Sequence, residues 1–477
     1  MSKAETALLI DFGSTYTKLR AIDLAAARVI GSGQGPSTVD TDINEGLTAA
    51  LADLEARLGT LPDFNHRLAS SSAAGGLRMV TVGLVRELTA EAACRAALGA
   101  GAKLVGTFAY QLTPADVAQI VALTPDILML TGGTDGGNVD VIRENADRLA
   151  LAELRCPVVV AGNRAVADEV ATVLDEVGLA VTVTDNVMPE FNTLNIEPAR
   201  AAIRRLFIDR IVHAKGIDQA RKMFDAVLMP TPAAVLEGAQ LLADGSTETP
   251  GLGPLLVVDV GGATTDVHSI ADGSPTGDSV NEHGLPEPYA KRTVEGDLGM
   301  RHGIAGIVAF VGEDTLAVAA GLDRARFDAA LKALSTNIDH LPEGDDQRAV
   351  DCSLAGAAVG IAVARHAGQL SVVQTVTGPV SMQEGKDLGG VKAVIGTGGA
   401  LAHGSDPAAI ISSALADAAK PLSLRPTSAA LMLDADYLLY AVGLLAAVEP
   451  EAALKLGLDN LNPLDTKEAK DGCSSAA

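Results

Sequence analysis

Ala7-Leu8-Leu9-Ile10-Asp11-Phe12-Gly13-Ser14-Thr15-Tyr16-Thr17-Lys18, near the start of the chain, is answered past its middle by Leu255-Leu256-Val257-Val258-Asp259-Val260-Gly261-Gly262-Ala263-Thr264-Thr265-Asp266. A single offset (259 − 11 = 248) aligns Asp11 with Asp259, Gly13 with Gly261 and Thr17 with Thr265. Each copy is an apolar run that ends in Asp-x-Gly and a cluster of small hydroxylated residues. A buried strand that delivers one carboxylate to a tight glycine turn is a way to hold a phosphate and its metal. Two such turns from two half-chains predict one nucleotide clamped between two lobes.

In the first turn Gly13 allows positive φ and lets backbone N–H groups come close to a phosphate. Ser14, Thr15 and Thr17 add hydroxyl donors, and Lys18 a positive charge. Alone, this turn would equally suit an ordinary β-hairpin. In the second turn Gly261 and Gly262 are two permissive positions in a row, followed by Ala263 and the donors Thr264 and Thr265. Asp259 stands where a carboxylate could hold Mg²⁺ through water, since Mg²⁺ dehydrates reluctantly. Asp266 either orients an attacking water or begins the next strand. Asp11 and Asp259 are thus the expected metal carboxylates and, with Asp266, the expected catalytic ones. Lys18 in the first copy corresponds to Asp266 in the second, so the first turn is expected to supply positive potential and the second to handle metal and water. A third element, Gly396-Thr397-Gly398-Gly399-Ala400, follows a strand near 391–395 and precedes a helix near 406. Adjacent glycines let a flat adenine and ribose lie against backbone, and a helix N-terminus favours phosphate. No G-x-x-x-x-G-K-[ST] occurs, and no G-x-G-x-x-G follows the first strand. Gly31-Ser32-Gly33-Gln34-Gly35 is interrupted by Pro36 and reads as a loop.

A chain of 477 residues has room for about three domains of ordinary size. Hydrophobic residues are 48% but aromatics only 3%, so Ala, Val, Leu and Ile must fill the core. The net charge of −24 argues against nucleic acid and against an anionic membrane surface. No apolar run is long enough to span a bilayer. Cys94, Cys156, Cys352 and Cys473 are far apart in sequence, against a disulfide framework or an iron–sulfur cluster held by one chain. The N-terminus enters a strand directly, with no signal peptide, and a cytoplasmic protein is expected.

Strands are expected at 7–11, 16–23 and 27–33, and a helix at 44–58 with Asn44 as N-cap and Gly59 after its end. Residues 66–185 then repeat a strand–helix rhythm that predicts a parallel sheet, with strands near 67–72, 78–83, 103–108, 126–131, 157–161 and 180–184. A long helix starts at Glu197-Pro198. Residues 273–290 read as a loop, helices dominate 300–370, and the last helix covers 434–447. The expected domains are a first lobe at 1–190 with an inserted βα segment, a helical connector at 191–252, a second lobe at 253–463 whose last helices either stay with it or return to the first, and a disordered tail at 464–477.

This order of motifs resembles the superfamily of actin, heat-shock chaperones and sugar kinases, which closes ATP between two ribonuclease-H-like lobes with two phosphate loops and an adenosine loop. Over most of the chain the sequence is similar to the glutamate mutase accessory family called MutL or GlmL. Besides the two Asp-x-Gly turns, that resemblance is carried by Thr131-Gly132-Gly133-Thr134-Asp135-Gly136-Gly137-Asn138, Asn186-Val187-Met188-Pro189-Glu190, Asn195-Ile196-Glu197-Pro198-Ala199-Arg200, Met229-Pro230-Thr231-Pro232 and Glu295-Gly296-Asp297-Leu298-Gly299. It implies an ATP- and Mg²⁺-dependent accessory or reactivating chaperone whose partners are the subunits of an adenosylcobalamin-dependent mutase, and it is compatible with a homodimer. A small-molecule kinase of the same fold and a non-catalytic actin-like assembling protein are the alternatives. The 131–138 segment either lines the cleft through Asp135 or is a strand-to-helix turn with Asn138 as N-cap. Asp266-x-His268 begins like the cobalamin-binding D-x-H-x-x-G pattern, but Ala271 stands where Gly is needed, so His268 reads as a strand residue.

Overall fold

Thr6–Phe12 is buried at every position and forms strand β1. β2 (Tyr16–Asp23) pairs with it antiparallel, and β3 (Arg28–Pro36) pairs antiparallel with β2. The glycine run expected as a loop is part of β3. Gly31, Gly33 and Gly35 recur with the strand period, and a Cβ on them would meet Leu58, the Ala50 carbonyl and the Gly46 carbonyl of the helix Ile43–Leu58. The glycines let that helix lie directly on the strand. Its N-cap is Asp42, whose side chain accepts from the Asn44 N–H, rather than Asn44 itself; Gly59 ends it at φ 81° as expected.

The computed structural model describes residues 5–13, 16–38, 42–72, 77–214, 228–277, 280–338, 340–376 and 378–465. Ser14, Thr15, the 215–227 stretch of the expected connector and the 466–477 part of the expected tail, with Cys473, lie outside them.

β4 (His66–Ser71) runs parallel to β1 and so belongs to the first sheet, not to the inserted one that its rhythm suggested. The inserted sheet comprises β5 (Leu77–Gly83), β6 (Ala102–Ala109), β7 (Ile127–Leu130), β8 (Val158–Val160) and β9 (Val181–Val183). All its pairings are parallel, in the order β6-β5-β7-β8-β9. Its central strands β7 and β8 are buried at every position, as the middle of a doubly wound sheet requires, while the edge strand β9 is partly exposed. One face packs on Glu91–Gly99 and Glu197–Ala214 through Ala93, Ala97, Ile203 and Phe207; the other packs on Asp140–Ala150 and Ala167–Asp175 through Ile142, Leu149, Val170 and Leu174. β10 (Leu228–Pro230) then returns beside β4, completing a first sheet of order β10-β4-β1-β2-β3. It is a strand inside a stretch expected to be helical.

In the second half, β11 (Leu255–Val260) pairs antiparallel with β12 (Thr265–Ile270). The stretch expected as a loop contains β13 (Val280–His283), and β14 (Ala290–Glu295) pairs antiparallel with β12. β15 (Gln369–Thr375) and β16 (Gly378–Glu384) join β13 in a small sheet. β17 (Ala393–Thr397), β18 (Ala430–Leu433) and β19 (Asn462–Leu464) complete a sheet of order β14-β12-β11-β17-β18-β19. Its first five strands repeat the order and directions of the first sheet: third, second, first, fourth, fifth, with the first three antiparallel and the last three parallel. The chain therefore contains two ribonuclease-H-like lobes, the first carrying an inserted βα segment. Helices Ile304–Val311, Glu313–Ala319, Arg324–Thr336 and Gly344–His366 occupy the region expected to be helical. The expected last helix spans Leu439–Ala446 and is followed by another, Pro450–Asn460.

By internal contacts the chain divides into two units. The first is Met1–Gly238 with Gly284–Pro288 and Tyr440–Leu456; the second is Ala239–His283 with Tyr289–Leu439 and Gly457–Ala477. Among the described residues no helix is long and apolar enough to cross a membrane.

Candidate functional site

The two Asp-x-Gly turns are closed by the same hydrogen bond. The Gly13 N–H donates to the Tyr16 carbonyl at 3.0 Å, and the Gly261 N–H to the Thr264 carbonyl at 2.9 Å. Neither glycine uses the positive φ that it permits. The need for glycine is space: a Cβ would lie 2.7 Å from the Tyr16 oxygen in one turn and 3.0 Å from the Thr264 oxygen in the other. Register then sorts the flanking side chains. Asp11 is opposite Lys18 and Asp259 opposite Asp266, so each pair shares one face of its sheet. Thr17 and Thr265 face the other way. Thr17 is fully buried, its Oγ1 beside Gly46 of the packed helix, and Thr265 donates to the Leu298 carbonyl. Neither hydroxyl lies on the face of the two carboxylates, and only that of Thr265 has a hydrogen-bond partner; Thr17 Oγ1 is buried without one.

In the first unit Asp11 is 7% exposed. Its Oδ1 accepts from Ser70 Oγ at 3.0 Å and from Thr231 Oγ1 at 2.6 Å. Burial pushes its carboxyl above the ordinary range, while the Thr231 hydroxyl, Lys18 and Ser70 pull it back in part. Ser70 sits opposite Asp11 on the fourth strand, and Thr231 follows the fifth, so the 229–232 segment is explained by what it does for Asp11.

The second unit uses the same strand positions with different residues. Thr397 on the fourth strand lies opposite Asp259, as Ser70 lies opposite Asp11, but donates to Asp434 Oδ2 at 3.1 Å. Asp434, just past the fifth strand, also accepts from the Leu438 and Leu439 N–H groups; it is 2% exposed, and burial pushes its carboxyl upward. Asp266 is held by the Nε and Nη2 of the buried Arg292 on one oxygen and by Thr264 on the other. Ser70, Asp434 and Arg292 belong to no motif of the sequence, and Thr231 stands only within a family segment. Their partners are distant in sequence, and only sheet order joins them. His268 is a buried strand residue in β12, its pKa driven down to about 3 by burial and Arg292.

The second and third motifs meet in one cavity of about 450 Å³, wholly within the second unit. Gly261 and Gly262 form one wall, Gly399, Ala400, His403 and Gly404 another, and Arg348, Asp351 and Cys352 of the helix Gly344–His366 a third. Arg301 also lines it and donates to Asp351 at 3.0 Å. Gly398, at φ 99°, is the hinge of the third motif. A Cβ there would lie 2.4 Å from the Val260 carbonyl oxygen and 2.8 Å from Asp259 Oδ1, so only glycine brings this turn against the end of β11. Tyr437 stands beside Gly399 and His403, its hydroxyl pushed up to about 12 by burial, Asp259 and Asp434. The 295–299 segment braces the phosphate-type turn: a Cβ on Gly299 would lie 2.2 Å from the Ala263 backbone, and the N–H groups of Met300 and Arg301 donate to the Gly261 and Gly262 carbonyls.

The remaining segments meet at the carboxyl ends of the inserted sheet. Asn186 donates to the Gly133 carbonyl and to Asp135, the Asp135 N–H donates to the Pro189 carbonyl, and Asn195 donates to the Asn186 carbonyl. Asn138 accepts from the Val141 N–H, but the N-cap of the helix Asp140–Ala150 is Val139 rather than Asn138. Here the 131–138 segment is knitted into its own domain.

Among the described residues no group of three or more His, Cys, Asp or Glu could hold a metal by itself. Mg²⁺ on a phosphate needs only one or two carboxylates and keeps its waters, so it does not call for such a group. Asp259, which the third turn can approach only because residue 398 has no Cβ, is a carboxylate that could serve it.

Comparison with known proteins places the chain. The family model described as MutL protein matches residues 7–461. Protein MutL of Clostridium tetanomorphum is 44% identical over 450 residues, covering 94% of this chain and 97% of that one. Among solved structures, a xylulose kinase from Bifidobacterium adolescentis (12% identity, 97% of this chain and 96% of that one, TM-score 0.34) and a Plasmodium falciparum glycerol kinase with ADP (11%, 99% and 96%, TM-score 0.36) are similar. The chain belongs to the MutL protein family.

Proposed function

We propose that this MutL-family chain is an ATP-dependent accessory protein, a reactivating chaperone, for the subunits of an adenosylcobalamin-dependent mutase of the glutamate mutase or aminomutase type in the cytoplasm. The observation that carries the nucleotide part is the cavity walled jointly by the Gly261-Gly262 turn and the 399–404 turn. The partner part rests on the family segments.

In this reading the backbone N–H groups of Gly262, Ala263 and Thr264 bind phosphate, the Gly261 N–H being used to close the turn, and Gly398 and Gly399 leave room for ribose and base. His403 and Tyr437 flank that room, and Arg301, steadied by Asp351, adds positive charge at the cavity wall. Asp259 is the carboxylate that would hold Mg²⁺ through water, and Asp11 has the same strand position in the turn of the first unit. Mg²⁺ when bound neutralises charge on the phosphates and holds them in line. Asp266, pinned by Arg292, orients Thr264 and is a positioning residue. Lys18 contributes the positive potential of the first turn, close enough to pull on Asp11. Catalysis would come from fixed donors and positioned charge rather than covalent chemistry. Shifting a partner from 1:99 to 99:1 needs about 5.5 kcal/mol of differential binding, within the reach of one ATP.

The test is ATP turnover by Asp11→Asn and Asp259→Asn without added metabolite; unchanged rates in both would remove the site. Turnover that needs a sugar or other metabolite would move the reading to a kinase. Retention of the mutase subunits that differs with and without ATP is the expected partner result, and identical retention would count against the chaperone cycle.

A further inference from the structure

A second and larger cavity of the same unit, about 1100 Å³, runs along the C-terminal half of the helix Gly344–His366 and under residues 412–425. It shares no lining residue with the cavity beside the glycine turns. Its walls are mostly apolar, with Ile361, Leu415 and Ala364 among them, and Phe310 and Leu422 are 61% and 52% exposed. Set in this apolar lining is Arg425, only 5% exposed. Its Nη1 donates to the Ser413 carbonyl at 3.2 Å, but its buried Nε has no hydrogen-bond partner. Among the described residues it forms no ion pair. Asp417 attracts it from an exposed position on the rim, which is not enough to offset the downward push of burial on the guanidinium. The buried Ser423 Oγ in the same lining is also unpartnered. Arg365, the other arginine of the wall, is committed to Glu295 and Asp297.

A buried guanidinium without a counter-charge is costly, because the lost hydration is not replaced. An anion that brings its own apolar surface would repair the deficit and cover the wall in one step. We propose that this cavity binds an organic anion with an apolar body, its acidic head meeting Arg425 and its body lying along Ile361, Leu415 and Leu422. The volume is at the upper end of the ordinary range for small ligands, about 300–1,000 Å³. The site is independent of the nucleotide reading.

Two fluorescent probes that differ only in the acidic group test this in the full chain: anilinonaphthalene sulfonate and the neutral N-phenylnaphthylamine. Sulfonate affinity should fall about tenfold in Arg425→Gln, the size of one charge-assisted hydrogen bond, and return in part in Arg425→Lys. The neutral probe should bind both variants as it binds the parent. Saturating ATP should leave both titrations unchanged. Equal losses for the two probes, or no loss in Arg425→Gln, would overturn the proposal. Ala364→Phe, which fills the cavity from a half-buried position, should weaken both probes, and undiminished sulfonate binding there would overturn it even if the Arg425 variants fail to fold.

Discussion

Thr231→Val isolates one hydrogen bond and reads it through pH. The Thr231 hydroxyl donates to Asp11 Oδ1 at 2.6 Å inside a nearly closed site. Such a bond contributes about 1.5–3 kcal/mol to an ionised acceptor and about 1 kcal/mol to a neutral one. Removing it therefore penalises the ionised carboxyl more than the protonated one, by about 0.5–2 kcal/mol. The carboxyl of Asp11 is already raised by burial, so the native state holds its proton more tightly than the unfolded chain does. Stability from that proton is present at low pH and is lost as pH rises through the folded value. The variant moves that loss to higher pH and deepens it. Urea unfolding followed by circular dichroism, suited to a chain without Trp, should show a gap between parent and variant that widens from acid to neutral pH. Thr231→Ser should close the gap. A gap of the same size at every pH, or a serine variant as weak as the valine one, would refute the assignment of Thr231 to the Asp11 carboxylate.

Three further outcomes follow from the second unit. Gly398→Ala should lose nucleotide affinity and at least about 1–2 kcal/mol of stability, since its Cβ collides with the Val260 carbonyl at a positive φ; calorimetric titration with ADP and a melting curve measure both. Breaking the buried Asp266–Arg292 pair from one side, as Asp266→Asn or Arg292→Met, should each cost about 3–5 kcal/mol, and the double variant should cost much less than the sum; additive losses would mean the pair is not coupled. The Cys352 thiol, pushed up to about 11 by burial and by Asp406 and Asp351, should alkylate slowly at pH 8 and much faster toward pH 11, and more slowly again with nucleotide in the adjoining cavity.

The doubled Asp-x-Gly turn was legible because it combines a buried strand with a fixed position for its carboxylate, and both are local. The pairing of Lys18 with Asp11 and of Asp266 with Asp259 was implicit in it, since a short turn sets the register of its two strands. Alternation would also have placed Thr17 and Thr265 on the opposite face, so their burial was readable. The reason for glycine at Gly13 and Gly261 was not, because a close carbonyl and a positive φ call for the same residue. β10 was hidden by its brevity and by Pro230, and β4 could not be allotted to a sheet because both sheets begin with similar apolar runs. Ser70, Thr231, Arg292 and Asp434 reach their partners across 59, 220, 26 and 37 residues, distances over which sequence pattern carries no signal.

The place where the inserted sheet enters and leaves the first lobe has a consequence for biosynthesis. β4 ends at Ser71, and its parallel neighbour β10 begins at Leu228, 157 positions later (228 − 71 = 157). At about 5–20 residues per second, a ribosome takes about 8–30 s to deliver that neighbour. For all of this interval β4 offers a bare edge, while the inserted sheet emerges whole, with cores on both of its faces. The nascent chain therefore has a module able to fold before the lobe that contains it can close. Thr231 emerges just behind β10, so the hydroxyl that steadies Asp11 reaches it only after that wait, and the first strand to be made receives its last hydrogen-bond donor after every strand of the inserted sheet has been made.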